Sequence, residues 1–136
     1  MSKKLSRSQA RCEAFKIIFQ LNQHMDDVDF LLDNLMNERP ASITSMPYIK
    51  NVVYGVMEKY DELTGIISEN LADGWKVERI SKVARAVLLL AIFEIKYVED
   101  VPEKVAINEA IELAKKFDMP DSSVFVNGVL AGVVNK

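Results

Sequence analysis

The chain has 136 residues, of which 49% are hydrophobic and 27% are charged. This length and composition indicate one globular domain and exclude a disordered chain. Five glycines and four prolines leave little material for the tight turns of a protein built from many short strands. The single cysteine, Cys12, excludes an internal disulfide framework and favours a reducing compartment.

Neither a membrane span nor an export signal is predicted. The longest uninterrupted apolar run covers residues 86–93, far short of the roughly 20 residues that a membrane-spanning helix needs. The N-terminus is charged and polar, without the apolar segment of a signal peptide. We therefore expect a soluble cytoplasmic protein.

Positive charge is concentrated at the N-terminus of an otherwise acidic chain. Residues 1–16 contain five basic side chains and one acidic side chain, a local charge of +4, whereas the whole chain carries −3. This distribution argues against a uniformly basic nucleic-acid-binding surface. It localises any contact with a polyanion to the N-terminus.

In the first half of the chain, apolar residues recur at helical spacing. The pattern predicts a first helix from an N-cap at Ser8 to about residue 25 and a second helix capped by Asp26 or Asp27. A loop over 37–44 follows. The predicted third helix begins at Met46-Pro47, where proline in the first turn loses no internal hydrogen bond, and continues to about residue 71 with a break near Asp61.

The second half predicts three further helices. The first, over about 77–98, is apolar on nearly its whole circumference, which is typical of a central helix. The next runs from Pro102 to about Phe117, and the last is capped by Asp121, Ser122 or Ser123. No strand is predicted. The fold class is therefore all-α, a single domain of six or seven helices in two small packed bundles that meet somewhere in about 60–77.

Side chains that could support catalysis are scarce. His24 is the only histidine, and on one helix it would lie roughly 18 Å from Cys12, too far for a nucleophile–base pair or a shared metal. No Gly-x-Gly occurs, so a glycine-rich phosphate loop is absent. Carboxylates such as Glu109 and Glu112 are typical of a solvated helix face with weak ion pairs. We expect no enzyme activity, no cofactor and no metal site.

A strip of cations is the first positive indication of function. On a helix, Lys3, Lys4, Arg7 and Arg11 project within about 60° of one direction, while Glu13 points away. Such a strip can follow a phosphate backbone, and arginine can also stack on bases. The alternative is a frayed, solvated terminus.

The second indication is Asn127-Gly128, which interrupts the last predicted helix. Glycine inside a helix costs about 1 kcal/mol relative to alanine, so its presence calls for a reason. Close helix packing at Gly128, with Asn127 bonding a neighbouring helix end, is the favoured explanation. A ligand site is the alternative.

Several segments carry a family resemblance. They are VPEKVAINEAIELAKKF at 101–117, FVNGVL at 125–130, WKVERI at 75–80, RAVL at 85–88, and an opening helix with Ala10-Arg11 that ends around Phe19-Gln20. In this order they closely resemble the NusB family of transcription antitermination factors over essentially the whole chain.

The resemblance implies an all-α fold of two small helical bundles without catalytic activity. It also implies binding of boxA, a short single-stranded RNA element of nascent ribosomal transcripts. In the family this occurs as a heterodimer with the small-subunit ribosomal protein that acts as factor NusE. The complex joins RNA polymerase and other Nus factors and lets the polymerase pass terminators.

Site residues follow from the matching positions. The opening helix implies RNA contacts at Lys3, Arg7 and Arg11, with Lys4 on the same strip, and the start of the last helix adds Asp121 and Phe125. The protein partner would lie near Phe19, Glu78, Arg79 and Lys82. The chain departs from the family's dense arginine run, because Ser8, Gln9 and Ala10 separate Arg7 from Arg11; Ala84 and Leu89 also stand where many relatives have charged residues.

Two other interpretations remain. A similar helical module serves as the accessory domain of a ribosomal-RNA cytosine methyltransferase, which would continue into a long catalytic domain, whereas this sequence ends at Lys136. The other alternative is a helical protein-interaction module or homodimer that does not bind RNA.

Overall fold

A computed structural model describes residues 4–23 and 27–135; Lys3, His24 and Asp26 lie outside them. These residues form seven α-helices and two 3₁₀ helices and contain no strand, which confirms the all-α fold class. The α-helices are α1 (Arg7–Gln23), α2 (Val28–Glu38), α3 (Met46–Glu58), α4 (Tyr60–Glu69), α5 (Lys82–Tyr97), α6 (Glu103–Phe117) and α7 (Ser122–Val134). The 3₁₀ helices span Pro40–Ser45 and Val77–Arg79. None of the helices within the described ranges has the length and apolarity that crossing a membrane requires.

The chain divides into two compact units, one up to Glu58 and one from Lys59 onward. The first unit contains α1, α2 and α3, and the second contains α4 to α7.

In the first unit, the start of α1 is fixed by a reciprocal pair of side-chain caps. The Gln9 backbone N–H donates to Ser6 Oγ at 3.0 Å, and the Ser6 N–H donates to Gln9 Oε1 at 2.9 Å. This is the capping-box arrangement, which satisfies two N–H groups that the helix leaves without partners. The predicted cap at Ser8 is therefore wrong, because the capping residue is Ser6, two residues earlier. Asp27 caps α2, as one of the two predicted aspartates.

The core of the first unit is formed where α1 contacts α3. Its fully buried side chains are spaced at helical intervals, namely Ala14 and Ile18 of α1 and Ile49, Val52, Val53 and Val56 of α3. Burial of each isoleucine and valine in this set contributes about 1.5–3 kcal/mol to the stability of the unit.

In the second unit, α5 is central and contacts α4, α6 and α7. Every residue from Ala86 to Glu94 is buried, which confirms a helix that is apolar around its circumference. The helix starts at Lys82 and not near residue 77, because Ser81 is extended and its Oγ accepts the Ala84 N–H at 2.9 Å as an N-cap. The preceding 3₁₀ turn is held by Arg85, whose Nη2 donates to the Val77 carbonyl at 2.8 Å.

The expected close packing at Gly128 is wrong. Gly128 is exposed, as is Asn127, and a Cβ at Gly128 would meet nothing within 4 Å. The close approach occurs one turn later, where a Cβ on Gly132 would lie 2.6 Å from Asn70 Oδ1. The amide of Asn70 is fixed there by donating from Nδ2 to the Ile66 carbonyl at 2.8 Å.

Candidate nucleic-acid interface

The predicted basic strip is only partly exposed. Arg7, the first residue of α1, is exposed, and so is Lys4, which lies three residues before the helix. Arg11, one turn further along, is buried with only 2% of its surface accessible, so the prediction of a continuous exposed strip is wrong at this residue. The exposed part therefore consists of Lys4 and Arg7, and Lys3 lies outside the described residues.

An aromatic side chain from α3 orients these arginines. The Arg7 guanidinium carbon lies 4.3 Å from the centroid of the Tyr48 ring, and that of Arg11 lies 6.0 Å from the same centroid. A guanidinium over a ring face is held by the attraction of the cation to the ring electrons. Tyr48 thus fixes the position of the exposed Arg7 cation, and the sequence prediction missed this residue because nothing in the spacing of α3 marks it.

The remaining charged and aromatic candidates of the first unit occupy other faces of α1. Glu13 is buried, and its carboxylate lies 3.6 Å from Lys16 Nζ and 3.6 Å from Arg39 Nη1. Phe19, a predicted partner contact, is half-buried and its ring centroid lies 6.1 Å from that of Phe15. The aromatic ring of Phe19 is therefore partly accessible.

The second unit contains a cavity of about 390 Å³, which we call the Trp75 cavity. Its walls combine aromatic and charged side chains with a set of small polar groups. The residues that matter for its chemistry are Trp75, Arg79, Ser81, Asp118, Ser122 and Phe125.

The aromatic wall is built from two chain segments. Trp75 precedes the 3₁₀ turn, and 53% of its surface is accessible. It follows Gly74, whose φ of +86° is a backbone conformation that glycine adopts without steric cost. The Trp75 ring centroid lies 6.0 Å from that of Phe125 in α7, and the planes are inclined by 36°. The two rings form one continuous apolar surface.

The polar groups are held in fixed positions. Ser81 Oγ donates to Asp118 Oδ2 at 2.5 Å, and the Met119 N–H donates to Asp118 Oδ1 at 2.9 Å. Partial burial by itself raises the pKa of the Asp118 carboxyl, but the Ser81 hydroxyl, the nearby Ser122 hydroxyl and the Met119 N–H outweigh it and hold that pKa below its usual range. Asp118 is therefore ionised at neutral pH.

The Ser122 hydroxyl oxygen is buried beneath this carboxylate. Among the described residues it has no hydrogen-bond partner of standard geometry, although it is close enough to influence the pKa of Asp118. The Ser122 hydroxyl thus adds to the stabilisation of the Asp118 carboxylate.

The structure brings together residues that the sequence assigned to different partners. Arg79, a predicted protein contact, and Asp121 and Phe125, predicted RNA contacts, line the same Trp75 cavity. Glu78 and Lys82, which come before and after Ser81 in the sequence, are both exposed. The sequence prediction gave Trp75 no role, although it is the only tryptophan and follows a glycine turn. Over residues 4–23 and 27–135, no group of three or more His, Cys, Asp or Glu side chains could hold a metal ion.

The NusB family model matches residues 8–135. The chain belongs to the NusB family. The predicted family is thereby confirmed over nearly all of the sequence, including every lining residue of the Trp75 cavity. Lys4 and Arg7 precede the matched residues.

Individual NusB proteins match along the same span. Transcription antitermination protein NusB of Ruminiclostridium cellulolyticum is 41% identical over 129 residues, covering 95% of this chain and 88% of that protein. The protein of the same name from Levilactobacillus brevis is 40% identical, covering 93% of this chain and 91% of that protein. A solved structure of T. maritima NusB is 30% identical with a TM-score of 0.89, covering 98% of this chain and 93% of that chain.

Proposed function

We propose that this protein is a transcription antitermination factor that binds boxA-type single-stranded RNA of nascent ribosomal transcripts. It does so as a heterodimer with the small-subunit ribosomal protein that acts as NusE. Through this complex it supports processive transcription by RNA polymerase together with other Nus factors. The proposed role involves no catalytic step, and its site is the cytoplasm.

The observation that carries the proposal is the pair of exposed cations formed by Arg7, the first residue of α1, and Lys4, which precedes the helix, in a chain of the NusB family. Lysine and arginine on one helix end can neutralise successive phosphates, which is the principal source of affinity for nucleic acid. Tyr48 holds Arg7 in position, so less conformational freedom is lost on binding. The curated relatives are named for transcription antitermination.

The proposed RNA contacts are divided between the two units. In the first unit, Lys3, Lys4 and Arg7 contact phosphates, while the buried Arg11 supports the strip beside Tyr48. In the second unit, Asp121 and Phe125 provide contacts at the start of α7.

The proposed protein partner contacts are Phe19, Glu78, Arg79 and Lys82. A structurally similar chain, 22% identical with a TM-score of 0.85, comes from a crystal structure of antitermination factors NusB and NusE in complex with dsRNA. That complex belongs to the similar protein, and its likeness to this chain concerns the fold alone. It supplies the partner with which the proposal is tested.

A gel shift with boxA RNA, with and without NusE, tests the proposal. We expect the RNA to be retarded, more strongly when NusE is present, and Arg7→Ala to weaken the shift. Lys50→Ala, which removes an exposed cation of α3, serves as the control and should leave the shift unchanged. Absence of any shift in both conditions would instead favour a helical protein-interaction module or homodimer.

A further inference from the structure

We propose that the Trp75 cavity binds one unstacked base of the RNA, with Trp75 as its stacking surface and Asp118 as the acceptor for its edge. A base that carries an amino group is favoured over uracil. This inference rests on the proposed RNA-binding function and assigns a binding site to residues that the basic strip does not include.

The stacking surface is the exposed face of Trp75. A tryptophan with 53% of its surface accessible leaves a large apolar ring in water. Its contact with Phe125, at 6.0 Å between centroids, leaves no slot between the rings, so a base would lie against their shared outer surface. Proteins that bind single strands use such rings as stacking surfaces, because every base has a π-face.

The floor of the cavity selects the edge of the base. Ser81 and the Met119 N–H each use one acceptor position of Asp118, and an ionised carboxylate has about four. The remaining positions can accept hydrogen bonds and cannot donate. The exocyclic amino groups of adenine, cytosine and guanine each carry two hydrogens, whereas uracil has a single N3–H donor flanked by two carbonyl oxygens that a carboxylate repels.

The charged lining favours a base over a protein side chain. Arg79, Asp118 and Asp121 all line the cavity, whereas the cores of protein–protein interfaces are depleted of charged residues. A nucleobase matches this mixture, since it presents a flat apolar face to the rings and a polar edge to the carboxylate.

Tryptophan fluorescence tests the inference directly, because Trp75 is the only tryptophan of the chain. Single-stranded oligomers of about six nucleotides, namely oligo(A), oligo(C) and oligo(U), would be titrated into the full-length protein. Polarisation of the same oligomers, labelled at one end, measures binding independently of the tryptophan. We expect oligo(A) and oligo(C) to quench the fluorescence and to bind at least about threefold more tightly than oligo(U).

Two variants and one control locate the effect. Trp75→Leu should weaken oligo(A) binding at least about fivefold, the lower end of measured losses of a stacking aromatic. Phe30→Leu, which alters an aromatic residue of the first unit with 59% of its surface accessible, should leave binding unchanged. Asp118→Asn, whose amide can both donate and accept, should bring oligo(A) and oligo(U) to nearly equal affinity, with circular dichroism verifying the fold.

The outcomes separate this inference from the proposed function. Absence of binding of all three oligomers, together with absence of a boxA gel shift with and without NusE, would overturn both. Absence of oligomer binding with a boxA shift retained would overturn the base site alone. Binding without quenching, together with unchanged affinity of Trp75→Leu, would overturn the base site alone. Quenching of the tryptophan by NusE in the absence of RNA is a further outcome. If it occurs and added RNA causes no further quenching, the cavity is a protein contact and the base site is overturned. Equal affinity of the three oligomers would overturn the selection by Asp118.

Discussion

The guanidinium of Arg7 in α1 lies over the ring of Tyr48 in α3, 4.3 Å from its centroid. Such a contact contributes about 0.5–1 kcal/mol at exposed sites, enough to favour one orientation of a long side chain. Because Arg7 remains exposed, its N–H groups can still meet a phosphate. The contact thus prepares a cation for binding and adds little to the stability of the fold.

We expect Arg7→Ala to weaken RNA binding and to reduce the dependence of affinity on salt, because one phosphate contact is lost. Arg7→Lys should show the same salt dependence as the unmodified protein, because lysine keeps the charge. Its RNA affinity should be lower, because lysine lacks the planar group that stacks on a ring. Tyr48→Leu should resemble Arg7→Lys. Polarisation titrations at several salt concentrations measure these effects, and identical curves for all variants would show that this end of α1 only increases solubility.

Arg11→Ala should act mainly on stability. Arg11 has only 2% of its surface accessible. Truncation to alanine therefore removes buried packing contacts, and the groups that interact with the Arg11 side chain lose that interaction. We expect the free energy of unfolding to fall by about 1–3 kcal/mol, whereas Arg7→Ala, which removes an exposed cation–π contact, should lower it by no more than about 0.5–1 kcal/mol. Urea denaturation of the two variants provides the comparison. Equal stability would mean that Arg11 is accessible in solution.

Leu88→Ala tests the central position of α5. Leu88 is fully buried, and its truncation should cost about 2–5 kcal/mol through lost burial and a residual cavity. Val124→Ala in α7, at a side chain with 73% of its surface accessible, should cost less than about 0.5 kcal/mol. A loss below about 1 kcal/mol for Leu88→Ala in chemical denaturation would contradict the burial of this face.

The burial of Leu88 illustrates what the sequence pattern predicts well. An apolar stripe that covers the circumference of a helix has one stable location, the centre of a helical unit. The start of α5 was less predictable. It is set by Ser81, whose side-chain oxygen accepts a hydrogen bond from the Ala84 N–H and so caps the helix. Helix ends depend on such single hydrogen bonds, which periodicity does not contain.

The candidate sites were predictable only where residues are close in sequence. The exposure of Lys4 and Arg7 was predicted from the sequence, although only Arg7 lies in α1. The burial of Arg11 and its contact with Tyr48 depend on how α3 packs, which spacing within α1 cannot predict. The pairing of Trp75 with Phe125 likewise joins residues 50 positions apart. The only sequence feature that could have indicated the Trp75 cavity was the single tryptophan directly after a glycine.

Two glycines allow a matched test of helix packing. Gly65 in α4 is exposed and a Cβ there would meet nothing within 4 Å, so Gly65→Ala should raise the free energy of unfolding by about 0.5–1 kcal/mol. Gly132→Ala gains the same propensity but displaces the Asn70 amide from its bond to Ile66. The lost hydrogen bond, about 1 kcal/mol, should cancel that gain. Thermal or chemical denaturation should therefore rank Gly65→Ala as clearly the more stable.

The contribution of NusE to RNA affinity is the last prediction. The chain carries a net charge of −3, and the exposed strip that the structure describes consists of Lys4 and Arg7. A few phosphate contacts at physiological salt give mostly non-specific affinity of about 10⁻⁴–10⁻⁶ M. A basic ribosomal protein beside the strip would extend the track for phosphates and orient the bases. Adding NusE should therefore tighten boxA binding at least about tenfold, or about 1.4 kcal/mol of coupling.

Thermodynamic linkage makes this prediction testable from both sides. Because coupling between two ligands is reciprocal, boxA RNA should tighten the binding of NusE by the same factor as NusE tightens the binding of RNA. Calorimetric titrations of each pair, with and without the third component, measure both factors. An RNA of the same length and scrambled sequence should give a smaller factor, since phosphate contacts alone carry no sequence information. If RNA affinity were the same with and without NusE, the protein would bind RNA on its own, and the heterodimer would serve another step of transcription.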